Sequence, residues 1–215
     1  MGQARRNDMP ENVAPVFLHE RAADNLSYIR ETMTRASAFT DVPGWGTVLM
    51  GVIALAGGAV ATLRYDTYWW MDVWCAVAVI AGGAGWLLIY RKARKSGTPL
   101  RSGPGRRMAA NFAPPMVAGS FLTLLFFELG MDPWLPGMWL LLYGTAVVCS
   151  GAFSVRVIPV MGMCFMVLGM LTTYAAFWLR EPLIGNYYAG DIGMALGFGG
   201  LNLLFGLIIA RRYGG

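Results

Sequence analysis

Histidine and cysteine are nearly missing from this chain, which has one His (His19) and three Cys (Cys75, Cys149 and Cys164). With no second His or Cys in reach of His19, a metal centre has no ligand set. The cysteines lie inside apolar runs, form no C-x-x-C pair and are odd in number, so they read as small buried hydrophobes, not a disulfide framework. The same scarcity leaves no triad for nucleophilic catalysis. Leu18-His19-Glu20-Arg21 has only the first two letters of H-E-x-x-H, and the Gly103–Arg107 stretch lacks the G-K-[ST] end of a phosphate-binding loop. The chain therefore reads as a non-enzyme without a cofactor.

Charge is also scarce. Only 13% of residues are charged and 56% are hydrophobic, where soluble domains carry about 25% charged residues. That balance excludes an ordinary soluble fold. The formal charge of +5 does not indicate nucleic acid, because the positives gather at the ends of apolar runs, where anionic lipid headgroups would meet them. The first 40 residues hold no apolar h-region, so Arg5-Arg6 does not read as a twin-arginine signal. Arg6 also stands where N-myristoylation needs Ser or Thr.

What the chain does have is long apolar runs around one basic loop. Arg91 to Arg107 contains Arg91, Lys92, Arg94, Lys95, Arg101, Arg106 and Arg107 and no acid. Short loops rich in Lys and Arg stay cytoplasmic and orient the spans beside them. A span needs about 20 apolar residues, and threading outward from the loop predicts six: 45–63, 68–90, 108–129, 138–154, 157–178 and 193–210. The expected fold is an all-α polytopic bundle of three helical hairpins in the lipid bilayer, with a membrane domain over 43–215. Within the run 138–178, Arg156 either turns the chain or lies buried at a cost of about 2.5–3.5 kcal/mol on insertion scales. The run is twice one span long, so the turn is expected. In this threading only Arg64 and Arg180 of the 17 Lys and Arg fall on the outer side, which predicts both termini in the cytoplasm. Pro114-Pro115 is expected to kink the third span unless neighbours compensate.

Residues 1–42 are expected to form a cytoplasmic tail and an amphipathic helix over about 16–39. Ala22, Leu26, Ile29, Met33 and Ala36 draw one apolar stripe at helical spacing, opposite Arg21, Asp24, Arg30, Glu31 and Arg35. A membrane-surface helix is usually rich in Lys and Arg on its polar face, and this one is nearly balanced. Three placements stay open: folded beneath the membrane domain, docked on a cytoplasmic partner or its own copy, or lying on the membrane.

Inside the spans, Asn202 stands out because it falls near the bilayer midplane among Gly193, Gly197, Gly199 and Gly200. Gly193 to Gly197 is a G-x-x-x-G pair, which lets helix backbones approach. An amide at that depth needs a partner, either across to another helix or in a ligand lining a cavity. Asp72 and Glu128 lie at the outer margin, as an acidic mouth for a cation or as headgroup-level charges. A weaker pattern runs through all six spans: odd ones start near proline and continue with Met and Gly, even ones open on aromatics and close on a positive charge. Three tandem hairpins about a pseudo-threefold axis would explain it, and so would the demands of crossing a membrane interface alone.

ADNLSYIRETMTRASAFTDVPGWGTVLMG (23–51) and LGFGGLNLLFGLIIARRYGG (196–215) resemble uncharacterised bacterial six-span integral membrane proteins. The resemblance implies this architecture and a place in the bacterial inner membrane, but no activity. In that pattern a His often stands where Asn202 is here, so the resemblance lends no ionisable midplane group. The expected role is structural or regulatory, with the N-terminal helix docking a partner. A small facilitator or channel for an ion or small molecule is the alternative.

Overall fold

The computed structural model describes residues 24–26, 28–29, 43–64, 66–95, 103–152, 154–179, 182–183 and 188–213. The chain divides into two compact units, Met1–Ala38 and Phe39–Gly215. In the first, residues 24–26 and 28–29 are helical, and Leu26 and Ile29 of the expected apolar stripe are exposed. The rest of the predicted amphipathic helix lies outside the described residues.

Among its described residues, the second unit is built of helices joined by turns. It contains α1 (Gly44–Ala61), α2 (Thr67–Lys95), α3 (Gly103–Glu128), α4 (Leu135–Gly151), α5 (Val157–Trp178), α6 (Ala189–Met194) and α7 (Asn202–Tyr213). A π-helical segment, Ala195–Leu201, joins α6 to α7 into one continuous sixth span. Six helices are long and apolar enough to cross a membrane, as expected, and the fifth runs over the predicted residues. The second helix outruns its predicted span at the basic end, continuing past Tyr90 to Lys95 with Arg91 and Arg94 exposed. The last begins four residues early, because Asp191 caps it through the Tyr188 backbone amide (3.1 Å).

The turn before α5 falls where the length argument put it. Helix α4 ends at Gly151, α5 starts at Val157, and Arg156 between them is exposed. Helix α3 continues through Pro114 and Pro115. At the opposite end Gly130 turns the chain from α3 towards α4 with φ of +66°, a left-handed conformation that costs glycine little.

Packing orders the helices. Half of the fourth span and 44% of the sixth are buried, against 6% of the third. α4 and the sixth span thus form the centre, and α3 leaves Val117, Phe121 and Leu124 to the surroundings. Such outward apolar surface suits lipid, where hydrocarbon replaces water around the bundle. Helix α4 packs on α5 through backbones that nearly touch. A Cβ on Gly144 would stand 2.7 Å from the Gly162 carbonyl oxygen, and one on Gly162 would stand 2.7 Å from that of Gly144. Helix α1 meets the sixth span in the same way, with Gly51 against the Gly199 carbonyl and Gly206 against the Val48 amide.

Those two interfaces bear on the proposed triplication. Each joins the second helix of one hairpin to the first helix of another, and each uses glycines seven residues apart on both sides: Gly137, Gly144 and Gly151 with Gly162 and Gly169, and Gly44 and Gly51 with Gly199 and Gly206. A threefold bundle needs a third such interface, between α2 and α3. There the helices meet through side chains near one end, with Tyr68 edge-on to Phe127 and Met71 among Leu122, Phe126 and Phe127. Gly82 and Gly83 of α2 face open space. Two of the three equivalent seams are closed.

Candidate functional site

The α1–α2 turn, the α3–α4 turn and the start of α6 meet at one end of the bundle. They surround a cavity of about 620 Å³. Its lining includes Arg64, Asp66, Asp132 and Asp191 together with Trp70, Trp134, Phe177 and Tyr188. We call this end the acidic end and the other, which carries Arg91, Arg94, Arg156, Arg211 and Arg212, the basic end.

Each acid is placed by local structure. Asp66 accepts from the Tyr68 amide at 3.0 Å and caps the start of α2, a favoured place for a carboxylate. Asp132 opens the short 3-10 turn Asp132–Trp134, followed by Pro133. Asp191 uses both oxygens: Oδ2 takes the Tyr188 amide, and Oδ1 takes the indole N–H of Trp70 at 2.8 Å. That last bond ties the sixth span to α2. Arg64 lies over the Trp69 ring, 4.7 Å from its centroid. Among the described residues no ion pair joins Arg64 to these three carboxylates. Among the described residues the lining therefore carries three acids and one base, beside aromatic faces that attract cations.

From Trp70 in the cavity lining a chain of ring contacts runs between the helices. Trp70 stacks on Trp139 of α4 (centroids 5.5 Å apart, planes 12° apart) and touches Trp74 one turn further along α2. Trp74 lies beside Phe198 of the π segment. Phe198 also contacts Tyr143 of α4 and Phe165 of α5, and Tyr143 reaches Phe112 of α3. The Trp139 indole is held by the Thr123 hydroxyl at 2.8 Å. Aromatic pairs of this kind contribute about 0.5–1.5 kcal/mol each beyond burial. They form one packed chain.

The residues singled out in the sequence take different places. Asn202 is buried, but its Nδ2 donates to the Phe198 carbonyl of its own helix (2.9 Å), and among the described residues it bridges to no other helix. Gly193 faces Thr172 of α5, Gly197 faces Leu140 of α4 and Gly199 faces Leu55 of α1, so three of the four glycines seat the sixth span against three neighbours. Gly200 has only its own helix nearby. Asp72 and Glu128 are both exposed, and neither lines the cavity. The acidic lining falls instead on Asp66, Asp132 and Asp191, which no motif in the sequence marks as a site. Of the basic loop, Arg91, Arg94, Arg106 and Arg107 are exposed helix ends, with Arg94 over the Tyr90 ring (5.7 Å). Lys92 and Lys95 lie on α2, and Arg101 is outside the described residues.

Sequence reading missed these ring contacts. No motif in the sequence singles out Trp70, Trp74, Trp139, Tyr143 and Phe198 from the other aromatics of the spans. The available signal was their i, i+4 spacing at Trp70/Trp74 and Trp139/Tyr143, one buried stripe on each helix. Among the described residues no group of His, Cys, Asp and Glu could hold a metal ion. Comparison with protein-family models, with curated proteins and with solved structures finds nothing that matches this chain.

Proposed function

We propose a non-enzymatic, regulatory membrane protein that receives a small organic cation in the cavity at its acidic end. The observation that carries this reading is the cavity itself, walled by aromatic rings and carrying, among the described residues, three carboxylates and one guanidinium. Its volume suits a small molecule. Its chemistry suits an ammonium group on an apolar body, which the carboxylates attract and the ring faces solvate. The chain of ring contacts running from Trp70 argues for reception over conduction. The N-terminal helix then serves as the output, docking a cytoplasmic partner. Exposed Leu26 and Ile29 on its apolar stripe support that role. In this reading the protein sits in a bacterial inner membrane with both termini in the cytoplasm, as the basic-loop bias argues.

Benzyltrimethylammonium and its uncharged carbon analogue provide the test, with tryptophan fluorescence of the protein in lipid nanodiscs as the readout. The cation should bind and the neutral analogue should not. Asp132→Asn should weaken binding by about 1 kcal/mol, roughly fivefold, for one charge at a partly solvated site. Equal binding of the two probes would end the proposal. Deleting residues 1–39 should leave binding intact and abolish partner capture. A facilitator would instead move the cation across proteoliposomes.

A further inference from the structure

The cavity at the acidic end carries charge of both signs, and the two signs do not neutralise one another. Arg64 comes from the α1–α2 turn and Asp132 from the α3–α4 turn, and both line the same space. The four charged groups differ in what they already hold. Asp191 uses one oxygen on the Tyr188 amide and the other on the Trp70 indole. Asp66 uses one oxygen on the Tyr68 amide. The half-buried Asp132 carboxylate caps nothing, and among the described residues it has no hydrogen-bond partner. Arg64 touches the Trp69 ring and pairs with no carboxylate among the described residues. That ring contact leaves the five guanidinium N–H groups without an acceptor. Beside Asp132, Trp134 belongs to the same 3-10 turn, and its ring lies 5.8 Å from that of Phe177. Carboxylate and ring faces are therefore presented together at one pole of the cavity lining, and a guanidinium at another.

A lone cation at Asp132 leaves Arg64 unanswered and is repelled by it. A lone anion at Arg64 meets the three carboxylates. A body that carries both charges answers both groups at once. We propose that the ligand is a short zwitterion, with an ammonium group against Asp132, Trp134 and Phe177 and a carboxylate or phosphate on Arg64. This inference rests on the cation-receiving role argued above and narrows its substrate class. Ring faces and a carboxylate together suit the ammonium, and the planar guanidinium suits a two-pronged oxyanion. The cavity of about 620 Å³ is large enough for such a molecule. The same pair of charges occurs in a free betaine or amino acid and in the headgroup of a zwitterionic phospholipid.

Matched probes on the full chain test this, in micelles of an uncharged maltoside detergent, where no headgroup competes and no surface charge favours the cation. Benzyltrimethylammonium is compared with the same molecule bearing a para-carboxylate, by tryptophan fluorescence. The zwitterion should bind about fivefold more tightly, as one further charge pair at a partly solvated site allows. Arg64 is exposed, so its substitution leaves the packing of the bundle intact. Arg64→Gln should erase the zwitterion's advantage, and the plain cation should bind that variant more tightly because a repelling charge is gone. Arg64→Lys should restore part of the advantage. A zwitterion that binds no better than a bound cation overturns this inference and leaves the cation reading standing; failure of both probes removes the two together. An advantage that survives Arg64→Gln also overturns it, by placing the anion elsewhere. Adding phosphatidylethanolamine to the micelles separates the sources. Weakened zwitterion binding marks the lipid headgroup as occupant, and unchanged binding marks a soluble zwitterion.

Discussion

Replacing Gly144 by alanine tests the packing on which the whole bundle rests. The added methyl group would lie 2.7 Å from the Gly162 carbonyl oxygen and 2.8 Å from the Met166 amide nitrogen, where ordinary contact begins at 3.4 Å. Both obstacles are backbone, so no rotamer change relieves them. The helices must part by about 0.7 Å, the step from 2.7 to 3.4 Å. Overpacking of this kind costs about 1–3 kcal/mol, and the upper end applies where backbone meets backbone. Alanine returns about 1 kcal/mol through helix propensity. The net expectation is a loss of about 2 kcal/mol, roughly 30-fold in the folding equilibrium. Gly83→Ala on α2 is the matched control. Its methyl group meets nothing within 4 Å, so only the propensity gain of up to about 1 kcal/mol remains. Both variants can be unfolded with SDS from mixed micelles and followed by tryptophan fluorescence. Equal stability of the two would refute a backbone-to-backbone α4–α5 seam.

Asp191→Ala removes the acceptor for Trp70 Nε1 and the cap on Tyr188. A loss of about 2 kcal/mol is expected, since hydrogen bonds to a charged group contribute about 1.5–3 kcal/mol, and Asp191→Asn, which keeps one acceptor oxygen, should lose less in the same SDS titration. Arg156→Ala should change stability by no more than about 0.5 kcal/mol, as for an exposed turn residue. A gain of several kcal/mol would instead reveal a charge buried in the membrane. For orientation, Leu100→Cys in a background lacking Cys75, Cys149 and Cys164 should resist an impermeant thiol reagent applied outside intact cells and react once the membrane is opened. Labelling in intact cells would invert the threading.

Much of the architecture could be read from the residues. Six spans follow from run length against membrane thickness, a one-dimensional property. The turn at Arg156 was legible because a run of twice a span's length must fold back on itself. The site was less so. Asn202 was placed near the bilayer midplane by its position in the run, yet its side-chain donor turns back to the Phe198 carbonyl of its own helix, which no hydropathy pattern records. Asp72 and Glu128 stood out for their place at the margin of apolar runs, while the cavity gathers Asp66, Asp132 and Asp191 from three separate connections.

The sequence by itself determined that this is a multi-span helical membrane protein and where its turns fall, because apolar length and charge placement act locally along the chain. Only the tertiary structure decided which helices touch, that two of three hairpin seams close on glycine, and that Trp70, Trp74, Trp139, Tyr143 and Phe198 form one chain of ring contacts. Those outcomes depend on the rotation of each helix about its own axis. In lipid, hydrophobicity looks the same on both faces, so packing alone sets it.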